Sequence, residues 1–126
     1  MISTLSLVAL GGAIGAALRF LSGAAILRIA GPQDFPLAII TVNVAGSFLM
    51  GVFVVLAAQK GLTHLSPFVM TGLLGGFTTF SAFSLETATL IERQAYGLAG
   101  LYVGMSVVLS IGALMLGLWA ARGAFA

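Results

Sequence analysis

The chain alternates between long apolar runs and brief polar interruptions. The apolar runs cover residues 5–30, 37–58, 66–91 and 97–121. The interruptions are Gly31 to Pro36, Gln59 to Leu65 and Glu92 to Tyr96, and the first of them holds two prolines. Each run reaches the length of about 20 residues that a membrane-crossing helix needs. The runs are continuous rather than alternating, which argues against a β-barrel. The first run lacks a basic leading region and is interrupted by Arg19, so it reads as a retained helix and not as a cleaved signal. The pattern predicts an all-α integral membrane protein. It forms a single four-helix domain over 1–126 and is a multi-pass protein of the cell membrane.

Composition supports that class and removes others. Hydrophobic residues make up 60% of the chain and charged residues 6%, whereas a soluble domain carries roughly 25% charged residues. The charged set is Arg19, Arg28, Asp34, Lys60, Glu86, Glu92, Arg93 and Arg122. So few charges cannot coat a water-facing surface, which excludes a soluble enzyme and a disordered chain. The net charge of +2 comes from scattered residues, so nothing points to nucleic acid. The absence of cysteine and the single His64 leave no disulfide, thiolate site or histidine metal site. No Gly-rich, Lys-containing nucleotide motif suggests a pump.

Charge also bears on orientation. Four spans place Lys60 and Arg122 on one side and Arg28 and Arg93 on the other. Equal numbers of flanking cations give almost no orientation bias. The reading is a chain that inserts both ways up and pairs as an antiparallel homodimer, with its two-fold axis in the membrane plane. Such a pair is the two-chain counterpart of the inverted repeats found within single-chain transporters.

Glycine is abundant, with 17 copies. Gly11 and Gly15, and Gly100 and Gly104, are spaced for one helix face, and Gly12, Ala16, Arg19 and Gly23 share a stripe. For most of these, close helix packing is the better reading. The third run differs. It contains Gly75-Gly76-Phe77-Thr78-Thr79-Phe80-Ser81-Ala82-Phe83-Ser84, where a glycine pair and two β-branched threonines make a poor helix interior. A break there frees backbone carbonyls at the bilayer midplane, where only protein, water or an ion satisfies them. The alternative is an intact helix whose hydroxyls bond the preceding turn. Asn43 is an amide in an apolar run, with Gly46, Ser47 and Met50 on its face. Tyr102, Ser106 and Ser110 follow a four-residue spacing and form a polar track.

The Gly75–Ser84 segment resembles the signature of the Fluc (CrcB) family of fluoride channels. The stretch Gly11-Gly12-Ala13-Ile14-Gly15-Ala16-Ala17-Leu18-Arg19-Phe20 is similar to that family's first-helix motif. Asn43 with Gly46-Ser47-Phe48 is similar to its second-helix motif. The resemblance implies an antiparallel homodimer with two narrow fluoride pathways. It implies a structural sodium ion (Na+) at the dimer centre, held by the main-chain carbonyls of Gly75 and Thr78 from both copies. It assigns Phe80, Phe83, Ser81, Asn43, Tyr102, Ser106, Ser110 and Glu86 to the fluoride pathway. The chain departs from the family at Ala38-Ile39, where Gly-Thr is usual, at Ala82 for threonine, and at Phe20 for tyrosine.

These residue types suit a small, strongly hydrated anion. The edge of a phenyl ring is partly positive and its face partly negative. Phe80 and Phe83, three apart on a helix, therefore offer edges to an anion without a full charge that would trap it. Arg19 serves either as a vestibule charge or as an anchor for a helix end. A bare Glu86 carboxylate beside an anion path would repel it, so pairing, ordered water or protonation is expected. The expected function is a passive fluoride channel, not an enzyme, that lowers fluoride toxicity. One rival is a small multidrug transporter, which uses an acidic residue in its first helix where this chain has Arg19. A second is a non-transporting membrane subunit.

Overall fold

The computed structural model of the chain describes residues 1–32 and 35–125. Asp34 and the rest of that short interruption's centre lie outside the described residues. The described chain is helical, with no strand. Helix α1 spans Ile2–Ala30, α2 spans Leu37–Lys60, and α5 spans Tyr96–Phe125. Between α2 and α5 the third crossing is segmented. It begins with a tight turn at Thr63–Leu65 and continues as a wide π-type helix at Pro67–Leu74. The short α3 at Gly75–Phe77 follows, and then α4 at Phe80–Glu92. Among the described residues, four stretches are thus long and apolar enough to cross a membrane, at Ile2–Ala30, Leu37–Lys60, Thr63–Glu92 and Tyr96–Phe125. Even the shortest, at 24 residues, is about 36 Å long at about 1.5 Å per residue, which exceeds the hydrocarbon thickness of roughly 30 Å. The helices outrun the apolar stretches at most ends because a helix continues past the point where its side chains turn polar.

Two backbone-close crossings hold the chain together. Helix α1 packs on the π-type segment and α3, and α2 packs on α5. Glycine makes both possible. A methyl group placed on Gly76 would lie 2.6 Å from Gly12 O, and one on Gly11 would lie 2.5 Å from Phe68 O. In the other crossing, Gly51 lies against the backbone of Leu114 and Leu118, and Gly117 against that of Phe48 and Val52. Lipid offers no hydrophobic drive for helix association, so such close backbone contact supplies the packing. The four-residue spacing at Gly11 and Gly15 therefore marks a real crossing. The same spacing at Gly100 and Gly104 marks no crossing among the described residues, where no neighbouring helix comes within 4 Å of a Cβ built at either.

The core is correspondingly small. Ile40, Leu90, Ala99 and Tyr102 form its buried cluster, with Phe35, Ile39, Phe83 and Met105 packed against it. Large apolar side chains such as Leu5, Phe20, Ile29 and Trp119 face outward, as an acyl-chain solvent requires. Turn chemistry closes the helices. Gly61 takes a left-handed conformation at φ 69°, and Leu62 N–H donates back to Ala57 O. After α4 the same motif is built on Gln94 at φ 62°, with Ala95 N–H donating to Leu90 O and Gln94 N–H to Ile91 O.

Candidate anion pathway at the helix break

The third crossing does rupture, three residues beyond the first of its paired glycines. Gly75 and Gly76 stay helical because α3 is clamped against α1 through Gly76 and Gly12. The chain leaves the helix at Thr78 (φ −89°, ψ 160°) and Thr79 (φ −153°, ψ 120°) and re-enters it at Phe80. Two β-branched residues are at ease in that extended region.

Polar side chains take over the hydrogen bonds that the rupture removes. Thr79 N–H, which a continuous helix would give to Gly75 O, donates to Asn43 Oδ1 at 2.7 Å. Asn43 Nδ2 donates to Thr79 O at 3.0 Å. Gly76 O accepts from Arg19 Nε at 3.1 Å, in place of the Phe80 N–H of an unbroken helix. Thr78 Oγ1 donates to Leu74 O at 2.9 Å. Thr79 Oγ1 caps α4 by accepting from Ala82 N–H at 3.1 Å. The Arg19 side chain thus reaches from α1 to a carbonyl at the end of α3. Gly75 itself is exposed, and its carbonyl has lost the Thr79 donor.

Beside the break lies an open cavity of about 380 Å³. Helix α2 contributes Asn43, Gly46, Ser47 and Met50, the break contributes Thr78 and Thr79, and α4 contributes Phe80 and Phe83. Helix α5 supplies Ser106, Val107, Ser110, Ile111 and Leu114. Gly46 is needed here because a Cβ would collide with the Thr78 methyl and approach the Phe77 ring. The Phe80 and Phe83 rings stand 5.4 Å apart at 48°, and Phe80 is 78% exposed in the single chain.

Tyr102 stands behind Phe83, with centroids 5.2 Å apart at 40°. It is fully enclosed, and neither its hydroxyl nor the Ser106 hydroxyl has a hydrogen-bond partner among the described residues. Buried hydroxyls without partners are uncommon. Two adjacent ones, one of them on the cavity wall, mark a place where a polar guest would find donors.

The structure thus gathers Asn43, Thr78, Phe80, Phe83, Ser106 and Ser110 around one space. Glu86 is elsewhere, half-buried on the wall of a second cavity of about 240 Å³ with Phe35 and Ile39. Ser81 is exposed, and its Oγ lies 3.3 Å from Thr79 Oγ1. Sequence reasoning overlooked Thr79 as the residue Asn43 binds, although a threonine directly before a helical run is a capping signal. It also passed over Phe35, whose position in a short interruption gives no periodic signal.

Comparison with known proteins agrees with this architecture. Residues 6–118 match the family model described as CrcB-like protein, Camphor Resistance (CrcB). This chain belongs to the CrcB family. The "Fluoride-specific ion channel FluC" of Ruegeria sp. (strain TM1040) is 67% identical over 123 residues, which cover 98% of each chain. The protein of the same name from Roseobacter denitrificans is 65% identical, over 97% of this chain and 98% of its own. A third, from Jannaschia sp. (strain CCS1), is 76% identical over 92 residues, or 73% of this chain and 88% of its own. The CrcB segment includes the whole break, both crossings and the cavity wall.

Proposed function

We propose that the chain is a fluoride-selective passive channel of the cell membrane that lets fluoride leave the cytoplasm. The observation that carries this reading is the cavity beside the break, where two phenyl rings, an amide and hydroxyls line one space. The relatives' names give the ion. Fluoride gives up hydration only against donors of comparable strength, and conduction also needs its exit to be easy. Phe80 and Phe83 offer partly positive ring edges. The unpartnered Ser106 and Tyr102 hydroxyls offer O–H donors behind them. The second N–H of Asn43 Nδ2 is a further donor on the same wall. No energy source is required. Hydrogen fluoride enters uncharged and dissociates inside, and an interior-negative potential then drives the anion out at about 2.3 kcal/mol per charge per 100 mV.

The channel works as an antiparallel homodimer in this reading. Phe80 is mostly exposed in one chain, and a ring cannot confine an anion while facing lipid. A second, inverted copy covers that face and completes the path. The same pairing explains the exposed Gly75. No cluster of acidic, histidine or cysteine side chains among the described residues could hold a metal, and main-chain carbonyls are the donors this reading gives a cation. Oxygen-only ligation suits a hard ion such as sodium. Gly75 O has lost its helix donor to the Asn43 bond and fits that role, and Thr78, extended at the rupture, fits beside it. Two carbonyls from one chain are too few and four from a pair are adequate. When bound, sodium supplies a fixed positive charge near the pathway.

The test is growth. Expression in a bacterium lacking fluoride export should restore growth on fluoride, and a Phe80→Ile variant made to the same level should not. Full rescue by that variant would detach the ring from the path. Orientation is tested separately. A tag at the carboxyl end should be reached by an impermeant reagent from both sides of the membrane in comparable amounts, and labelling from one side only would sink the inverted pair.

A further inference from the structure

Phe83 lies on the wall of the 380 Å³ cavity. Phe83 leans on Tyr102, and the Phe35 ring stands against Tyr102 from outside, with centroids 5.5 Å apart and planes at 89°. Phe35 is at the same time a wall of the second cavity, which also holds Glu86, Ile39 and, on the α1 side, Ile26. The two cavities are therefore separated by one aromatic cluster, in the order Phe83, Tyr102, Phe35.

Helix α4 supplies a wall of both spaces, since Phe83 lines the first and Glu86, three residues on, lines the second. Helix backbones fix two of the rings, Phe83 on α4 and Tyr102 on α5. Phe35 sits ahead of α2, next to Pro36, and packs on Tyr102 from there.

We propose that Phe35 is the third ring of the anion constriction and sets the size of ion admitted between the two cavities. The proposal rests on the conduction reading above and adds a specificity residue and an exit cavity to it. The chemistry is steric and electrostatic together. A phenyl ring meeting Tyr102 at a right angle closes the passage on the side where Ile39 offers no hydroxyl. Its partly positive edge is compatible with a passing anion, whereas an aliphatic wall would be neutral. Removing the ring opens the passage by about a benzyl group. An ion as large as chloride gains more from that space than fluoride does, because fluoride already fits.

The experiment is fluoride and chloride release from liposomes holding purified channel, with size-exclusion profiles to confirm assembly. Phe35→Ala should raise chloride release and lower the fluoride-to-chloride ratio about ten-fold. Phe35→Leu, which refills much of the volume, should recover most of the ratio. Phe35→Trp should slow fluoride and keep the ratio, and it decides the matter together with Leu if the alanine variant fails to assemble. Ile26→Ala enlarges the second cavity from its α1 wall and should leave the ratio unchanged. An unchanged ratio in Phe35→Ala would overturn the proposal, as would the same fall in Ile26→Ala. If the unmodified channel released no fluoride, the conduction reading would fail first and take this proposal with it. If it conducts while Phe35 variants match it, the proposal fails alone.

Discussion

The carboxamide of Asn43 binds both backbone groups of Thr79, accepting from its N–H at 2.7 Å and donating to its C=O at 3.0 Å. A side chain on α2 thereby does for one residue what a neighbouring strand would do, 36 positions away in sequence. The bilayer core makes that service necessary, since lipid satisfies no backbone group. Asn43→Ala removes both bonds. With membrane hydrogen bonds worth about 0.6 kcal/mol on average and at most about 1.7, the expected loss is about 1–3 kcal/mol. It should be read by unfolding in mixed micelles, and fluoride release should fall to near that of empty vesicles. Asn43→Asp keeps the acceptor for Thr79 N–H but loses the donor, and it should not restore release. Wild-type stability in Asn43→Ala would show the pair to be incidental.

Arg19 separates charge from geometry. Its Nε donates to Gly76 O at the end of α3. If Arg19 only lent the mouth positive potential, Arg19→Lys would behave as wild type. The observed contact predicts otherwise, because a lysine lacks a donor at the Nε position and is a point charge rather than a fork. Release rate and thermal stability in Arg19→Lys should both drop, close to the values for Arg19→Ala. A lysine variant indistinguishable from wild type would return Arg19 to an electrostatic role.

Tyr102 and Ser106 carry buried hydroxyls with no partner among the described residues. Such groups cost stability when left alone, about 1–3 kcal/mol each by general experience. Tyr102→Phe should therefore fold at least as well as wild type while conducting fluoride more slowly, and Ser106→Ala should add to that slowing. Paired measurements of melting temperature and flux distinguish this from a packing role. A destabilised Tyr102→Phe with unaltered flux would count against it.

Much of this was legible in the chain. Apolar runs locate four crossings because each must hide its backbone in lipid, and Pro32 and Pro36 punctuate the first pair. The weak point of the third crossing is written in Gly75, Gly76, Thr78 and Thr79. Its position is not, because the glycines are held helical by contact with Gly12 on α1, a tertiary effect that no local propensity contains. The π-type winding of Pro67–Leu74 is equally silent in composition, and it coincides with the α1 crossing at Gly72. Asn43 stands out as a polar residue in an apolar run. Its actual partner depends on how α2 and the break meet in space. Spacing alone does not say which glycine pairs pack within one chain: Gly100 and Gly104 have the same period as Gly11 and Gly15, yet a Cβ at either meets nothing among the described residues.

The most direct test is simultaneous release of fluoride and chloride from liposomes loaded with both, with valinomycin and potassium clamping the potential. A rapid fluoride efflux that Phe80→Ile and Asn43→Ala abolish, with chloride retained as in protein-free vesicles, is the predicted result. Chloride leaving at a rate comparable to fluoride, or fluoride leaving no faster than from empty vesicles, would contradict the account.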